Sequence, residues 1–291
     1  MIFSYRPYRI QSRRRAYTEM KTSVLMSVYK SDDPEFLKVA LESIYENQTR
    51  KPDEIVVVFD GELTDELYKV LDTFRSGKED IVRYLPQAVN KGLGEALRIG
   101  SAECTGDYIF RMDSDDISDP LRFEKQLDYI SRHPEIDVLG TDICEFNYSL
   151  DEQMRKRVCP EKHEDIVKMS KRRSPMNHVT VCIKRSALEK SGGYETMLLL
   201  EDYYLWVKMI AAGCTLANIN EGLVYVRIGN GFDNKRGSKI RLKGWKELQR
   251  FMLSNKLINR KEALLNMVYI YGFVYCPNFL RKLVYSKLLR K

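Results

Sequence analysis

Asp107-Tyr108-Ile109-Phe110-Arg111-Met112-Asp113-Ser114-Asp115-Asp116 joins an apolar, β-prone run to a cluster of carboxylates. Open α/β sheets gather their ligands at the carboxyl ends of strands, and the cluster falls at such an end. Asp113 and Asp115 are two residues apart, so an extended segment points them the same way. Two hard oxygen donors converging on one spot suit Mg2+ or Mn2+ together with substrate phosphates. A solvated acidic turn is the plain alternative, and the surrounding sequence decides between the two.

Upstream of this stretch the pattern alternates. Residues 23–29 form a short apolar strand, and Asp32-Asp33-Pro34 opens a helix over 35–47 with acidic residues in its first turn. Glu54–Phe59 (EIVVVF) is a continuous apolar run, as expected of a strand buried on both faces. Asp60-Gly61 breaks it before a helix over 64–74 and a strand over 81–85. The Gly-rich turn Asn90-Lys91-Gly92-Leu93-Gly94 then enters a helix over 92–101. This β-α-β-α-β-α-β order predicts a parallel, right-handed, Rossmann-like half. Downstream, helices are expected over 121–133, 163–170, 186–191 and 202–212, with strands over 137–147, 179–184 and 223–228. From 238 onward the chain reads as helical and basic.

The 291 residues, 44% hydrophobic and 31% charged, can bury a sizeable core. No apolar run approaches the ~20 residues of a spanning helix, and the N-terminus has no apolar core of a signal peptide. The six cysteines, 104, 144, 159, 182, 214 and 276, contain no Cys-x-x-Cys pair. They read as reduced, mostly buried side chains of a cytoplasmic protein. Charge is segregated. Residues 1–19 are +4 and show no periodicity, residues 20–234 are −10, and residues 235–291 are +13. Basic ends suit an anionic surface such as membrane headgroups, or they are solvated helix faces. An acidic body argues against nucleic acid.

Read together, six pieces resemble a family-2 glycosyltransferase of the GT-A fold: Ser27-Val28-Tyr29, Val57-Val58-Phe59-Asp60, Asn90-Lys91-Gly92-Leu93-Gly94, Arg111 to Asp116, Gly192-Gly193-Tyr194, and Glu201-Asp202-Tyr203-Tyr204-Leu205-Trp206. Each is weak alone, and their order and spacing are specific. The resemblance covers about residues 21–234 and is nearest to the exopolysaccharide and capsule transferases of the amylovoran-biosynthesis type. It implies a Rossmann-like nucleotide-sugar half over 20–120, an acceptor half over 121–234 completing a mixed central sheet, and a basic helical tail over 235–291. Residues 1–19 are expected to be a disordered extension. The implied activity is inverting, metal-dependent transfer from a nucleotide-sugar donor, most readily a UDP-sugar, to a saccharide acceptor on a polyprenyl-diphosphate carrier. Such an enzyme would sit in the cytoplasm or on the inner face of its membrane. A sugar nucleotidyltransferase and a non-catalytic sugar-nucleotide-binding protein are the competing classes.

The resemblance also distributes roles. Ser27, Tyr29, Asp60, Lys91, Gly92 and Asp113 fall on the donor side, with Asp115 and Asp113 as metal ligands and Asp116 orienting their loop. Asp60 either contacts the base or ribose or caps the following helix. The Lys91-Gly92 turn either offers backbone N–H groups to an anion or is an ordinary turn. Asp202 is the expected general base, because an acceptor hydroxyl needs a group to take its proton and a helix N-terminus favours negative charge there. Glu201 helps it, or the pair is only an acidic helix start. His178 and Arg227 either reach the acceptor or diphosphate or serve structure. Trp206 either stacks on a sugar or packs in the core. In the tail, residues 263–275 are expected to pack on protein and residues 280–289 to touch lipid.

Overall fold

The computed structural model describes residues 19–147, 154–197, 199–228 and 241–275. The expectations for residues 1–18 and for the terminal stretch 280–289 lie outside them. In the first half, β1 (Thr22–Val28), α1 (Pro34–Ile44), β2 (Glu54–Phe59), α2 (Asp65–Arg75), β3 (Val82–Pro86), α3 (Leu93–Glu103) and β4 (Tyr108–Met112) alternate as the sequence pattern predicts. β1 pairs in parallel with β2 on one side and β4 on the other, and β3 adds in parallel beyond β2.

Alternating side chains explain why the apolar runs are unbroken. Val24, Met26, Ile55, Val57 and Phe59 join one core with Leu37 and Leu41 of α1 and Leu67 and Leu71 of α2. Leu25, Val56 and Val58 join a second core with Ala96 and Leu97 of α3. A strand covered on both faces has no polar face to alternate with. The helix starts are capped locally. Asp33 Oδ1 accepts from the backbone N–H groups of Glu35 and Phe36, with Pro34 at the first helical position. Thr64 caps α2 by accepting from Leu67 N.

The second half comprises β5 (Ile117–Ser118), α4 (Arg122–Arg132), β6 (Val138–Phe146), β7 (Arg155–Arg157), α5 (His163–Ser170), a 3-10 turn (His178–Thr180), β8 (Cys182–Lys184), α6 (Arg185–Lys190), α7 (Glu201–Ala211), β9 (Leu216–Arg227), α8 (Arg241–Ser254) and α9 (Arg260–Tyr275). Antiparallel β8 extends the sheet from β4, and the order of the described strands is β3-β2-β1-β4-β8-β6-β9-β5, with β7 also on β6. The sheet is therefore mixed, α/β throughout.

Two expected strands differ from the structure. The strand over 179–184 splits, because side chains at its start replace the ladder. Thr141 N donates to Thr180 Oγ1, and both Thr180 Oγ1 and Asn177 Nδ2 donate to the Thr141 carbonyl. The strand over 223–228 is only the second half of β9. Its register on β6 jumps from Ile219 to Gly222 across Thr141/Asp142 and shifts again between Asp142 and Ile143. That bulge carries Asn220 and Glu221, which hide the strand's continuity from an apolar pattern.

After residue 241 the chain packs against α7. Leu248 and Met252 of α8 share a third core with Leu200, Tyr203 and Val207. Trp245 sets its ring edge-on to Tyr203, at 5.5 Å. α9 covers the protein with one side only, through Ala263, Asn266 and Val274. Residues 263–275 thus pack on protein as expected, but their other side is exposed. Cys104, Cys159, Cys182 and Cys214 are buried, Cys144 is half-buried, and all five are free.

Candidate active site

The carboxyl ends of β1, β2 and β4 lie side by side, and the acidic cluster follows β4. The chain bends after Met112, so a bend rather than strand alternation brings Asp113 and Asp115 together. Asp116 joins them, and one oxygen from each of the three lies within 4.8 Å of the others. Asp113 is half-buried, Asp115 exposed and Asp116 buried. Asp116 Oδ1 also accepts from Arg227 N at 2.9 Å, tying the loop to the end of β9.

A fourth carboxylate borders the cluster. Asp32 accepts a hydrogen bond from Ser114 Oγ at 2.7 Å and one from Tyr29 N at 3.1 Å. Burial, followed at a distance by the Asp113 charge, raises its pKa despite these bonds. The sequence reading took Asp32-Asp33-Pro34 as a helix opener. Asp33 does that alone, which leaves Asp32 for the site.

Desolvation dominates the electrostatics, with crowding second. Desolvation, then the charges of Asp113 and Asp32, push Asp115 up to about 6. Asp116 is raised further, by burial first and then by Asp113 and Asp115. Two buried arginines oppose the pile-up. Arg111, 3% exposed, pairs with Asp113. Arg122, fully buried, donates to the Arg111 carbonyl at 2.9 Å and to Gln126 Oε1 at 3.1 Å, beside the packed rings of Phe110 and Phe123. Arg122 carries no motif, and its amphipathic helix conceals it.

On the donor side, Ser27 is half-buried near the end of β1 and Tyr29 is exposed just beyond. Asp60, 5% exposed, accepts from Lys91 N at 2.7 Å through Oδ1 and from Gly92 N at 3.0 Å through Oδ2. The anion at this Gly-rich turn is thus the protein's own carboxylate, and the two N–H groups expected to face a substrate anion face Asp60. Thr64, not Asp60, caps α2. Gly61, at φ +90°, closes the clamp, since a Cβ there would lie 2.8 Å from Asn90 N. Each Asp60 oxygen keeps a lone pair for a base or ribose donor. Asp60→Ala leaves two backbone N–H groups without their acceptor and is expected to cost ~2–3 kcal/mol. Urea unfolding measures this, and an unchanged midpoint would show that water replaces the carboxylate. Lys91 is exposed, and Arg98 forms a two-pronged pair with Glu95 on the outside of α3.

Gly94 brings the two halves together. A Cβ at Gly94 would sit 2.8 Å from Glu201 Cγ and 3.3 Å from the Glu195 carbonyl oxygen. Glu201 and Asp202 form the first turn of α7, and Ser174 Oγ donates to Asp202 Oδ2 at 3.3 Å. Tyr194 bridges the two sides. Burial raises its phenol, Arg111 pulls it back, and the Asp202 and Asp113 charges push it up, so it lies within the field of both acidic groups. His178 Nε2 is 3.0 Å from the Tyr194 hydroxyl. Burial and the Arg111 charge hold its pKa well below the ordinary value, so the ring is neutral at physiological pH.

Trp206 is fully buried and edge-on to His178 at 5.8 Å. It therefore packs behind the site and has no face for a sugar, a correction to its place among acceptor-side residues. The Arg227 guanidinium lies over the Phe36 ring at 3.7 Å, with the Phe146 ring 4.7 Å from it.

Residues 23–192 match the family model described as Glycosyl transferase family 2. The UDP-Gal:alpha-D-GlcNAc-diphosphoundecaprenol beta-1,3-galactosyltransferase of Escherichia coli is 35% identical over 272 residues, covering 93% of this chain and 97% of its own length. Amylovoran biosynthesis glycosyltransferase AmsE of Erwinia amylovora is 35% identical over 234 residues, covering 80% and 86%. Among solved structures, S. aureus TarS 1-349 in complex with UDP-GlcNAc matches with a TM-score of 0.67 at 18% identity, over 92% of this chain and 76% of that one. This last likeness is one of fold.

Proposed function

Because the chain belongs to glycosyl transferase family 2, we propose that it moves one sugar from a nucleotide-diphosphate donor to a hydroxyl of a lipid-linked saccharide during surface polysaccharide synthesis. The observation that carries this reading is the convergence of Asp113, Asp115 and Asp116 within 4.8 Å after β4, with the first turn of α7, which bears Asp202, held against Gly94 of the first half. The lipid-linked acceptor and UDP-sugar donor are supported by the E. coli galactosyltransferase, which aligns along nearly its whole length.

In this reading the donor's nucleoside lies over the ends of β1 and β2, where Ser27, Tyr29 and the Asp60–Lys91 clamp line its bed. The cluster fits Mg2+ or Mn2+, with three hard oxygens within 4.8 Å and mutual repulsion that a cation relieves. Asp113, Asp115 and Asp116 would hold the ion, which would neutralise charge growing on the leaving diphosphate. Arg111 and Arg122 keep the loop in place from behind. On the opposite side Asp202 accepts the proton of the acceptor hydroxyl as its oxygen bonds to the anomeric carbon and the bond to the diphosphate breaks. A single displacement inverts that carbon. Glu201 braces the turn against Gly94, and neutral His178 orients Tyr194 beneath the sugar.

A donor-hydrolysis screen over nucleotide sugars, with and without Mn2+, tests the reading. Turnover of one UDP-sugar is the expected result, and cleavage of none would overturn it.

A further inference from the structure

We propose that α9 and the basic residues beside it form an interfacial surface that seats the protein on an anionic phospholipid bilayer. From Ala263 to Tyr275 the helix has no charged side chain. Its rotation is fixed from inside, where Asn266 Nδ2 donates to the Lys171 carbonyl at 2.7 Å and to Gln249 Oε1 at 3.0 Å. That turns Leu264, Leu265, Val268, Tyr269 and Tyr275 outward, between 55% and 74% exposed. These positions recur at intervals of one, three, four and six, on a single face. Helices apolar on both sides are normally enclosed. Here the protein covers one side, and the other is a continuous apolar strip of the kind that marks an interaction surface.

The rim indicates what covers it. Lys243, Lys246 and Arg250 lie on the exposed side of α8, and the Lys246 ammonium is 5.9 Å from the Tyr271 ring centroid. At the α8–α9 turn, Lys171, Arg250, Lys256 and Arg260 line an open groove of about 890 Å³ whose lining holds one acid, Glu262. The sequence of residues 276–291 carries five basic residues and no acid. Apolar side chains and tyrosines bordered by cations match the layering of an anionic membrane interface. A second copy of the chain would set this cationic rim against itself. At 1.5 Å per residue the 16-residue helix is ~24 Å long, below the ~30 Å of a bilayer core, so it lies in the interface plane. No described helix is long and apolar enough to cross a membrane.

The surface adjoins the acceptor side. α9 is bonded to Lys171, Tyr203 of α7 donates to the Ser170 carbonyl at 2.6 Å, and Ser174 donates to Asp202. An acceptor carried on a lipid diphosphate would thus arrive beside the carboxylate proposed to deprotonate it. This inference rests on the lipid-linked acceptor of the preceding reading.

The full chain is sedimented with vesicles of phosphatidylcholine alone or mixed with phosphatidylglycerol. Pelleting with the mixed vesicles is expected, and at least ~10-fold less with the neutral ones. Val268→Glu/Tyr269→Glu, in the strip, and Lys243→Glu/Lys246→Glu, in the rim, should each weaken vesicle binding ~10-fold or more while donor hydrolysis is unchanged. Circular dichroism checks that both variants fold. Wild-type binding by both variants, or no pelleting of the parent protein, overturns the proposal. So does a dimer in light scattering that the strip variant dissociates, since the strip would then be a self-interface. Vesicle binding without turnover of any donor would sink the proposed function and leave this surface standing. Turnover without vesicle binding would do the reverse.

Discussion

Asp115→Asn is expected to remove the stimulation of transfer by Mg2+ or Mn2+ and to leave the fold intact. Three carboxylates, Asp113, Asp115 and Asp116, share the loop after β4, and Asp32 from the loop after β1 borders them, with Arg111 as the direct counter-charge. Asp115 is the exposed member of the three that converge, and desolvation, followed by the charges of Asp113 and Asp32, pushes its pKa up to about 6. Removing its charge relieves repulsion, so thermal stability should hold or rise slightly. Cation affinity should fall by ~10²-fold or more, since even outer-shell partners of a metal are worth 10–100-fold. Mn2+ titration of donor hydrolysis, alongside a melting curve, reads both effects. Asp116→Asn should behave differently. Its oxygen holds Arg227 N at 2.9 Å in the buried wall, and an amide oxygen can keep that bond while the charge is lost. Full parental activity in EDTA would remove the metal from the mechanism.

The first half of the fold was legible because its signals agree. In EIVVVF every residue after Glu54 is buried, and Pro34, Asp33 and Thr64 mark helix starts by local hydrogen bonds that need no tertiary partner. The second half was less legible because its strands depend on side-chain substitutions for the ladder. Thr180 and Asn177 bond to Thr141 where a strand was expected, and Asn220 and Glu221 bulge out of β9. Neither event leaves a periodic trace. For α9 the apolar pattern was visible, but nothing in it told which side the protein covers. The bonds of Asn266 decide that.

The site was legible where a residue type is unusual for its place. A run of three aspartates within four positions at a strand end is such a case. Asp32 was hidden because a second aspartate and a proline beside it supplied a sufficient explanation. Arg122 was hidden because a charged residue at a helix start reads as solvated, while its burial against Phe110 and Phe123 is a property of packing alone. For Trp206 the sequence left a sugar platform and core packing open, and α7 turns it inward onto His178, which decides for the core. Asp60 was correctly placed at a strand end near the nucleotide turn, but the sequence could not show that its first partners are Lys91 N and Gly92 N.

Asp202→Asn is expected to lower sugar transfer by ~10²–10⁴-fold, the usual worth of a general base. The other carboxylates near the site are engaged elsewhere. Asp60 clamps the Lys91 turn, Asp113 pairs with Arg111, and Asp116 holds the end of β9. Asp202 stands on the opposite element, at the first turn of α7, with Ser174 Oγ as a partner that an amide oxygen can retain. The substitution therefore preserves shape and hydrogen bonding and deletes proton acceptance. Donor affinity should change little, because the group acts as the new bond forms rather than when the donor binds. Glu201→Gln should cost far less, since the Glu201 stem packs on Gly94 and serves the turn's position. The product's anomeric proton coupling should report a configuration opposite to the donor's, as one displacement requires. Retained configuration, or an Asp202→Asn enzyme that transfers at the parental rate, would overturn the role of Asp202 as the base.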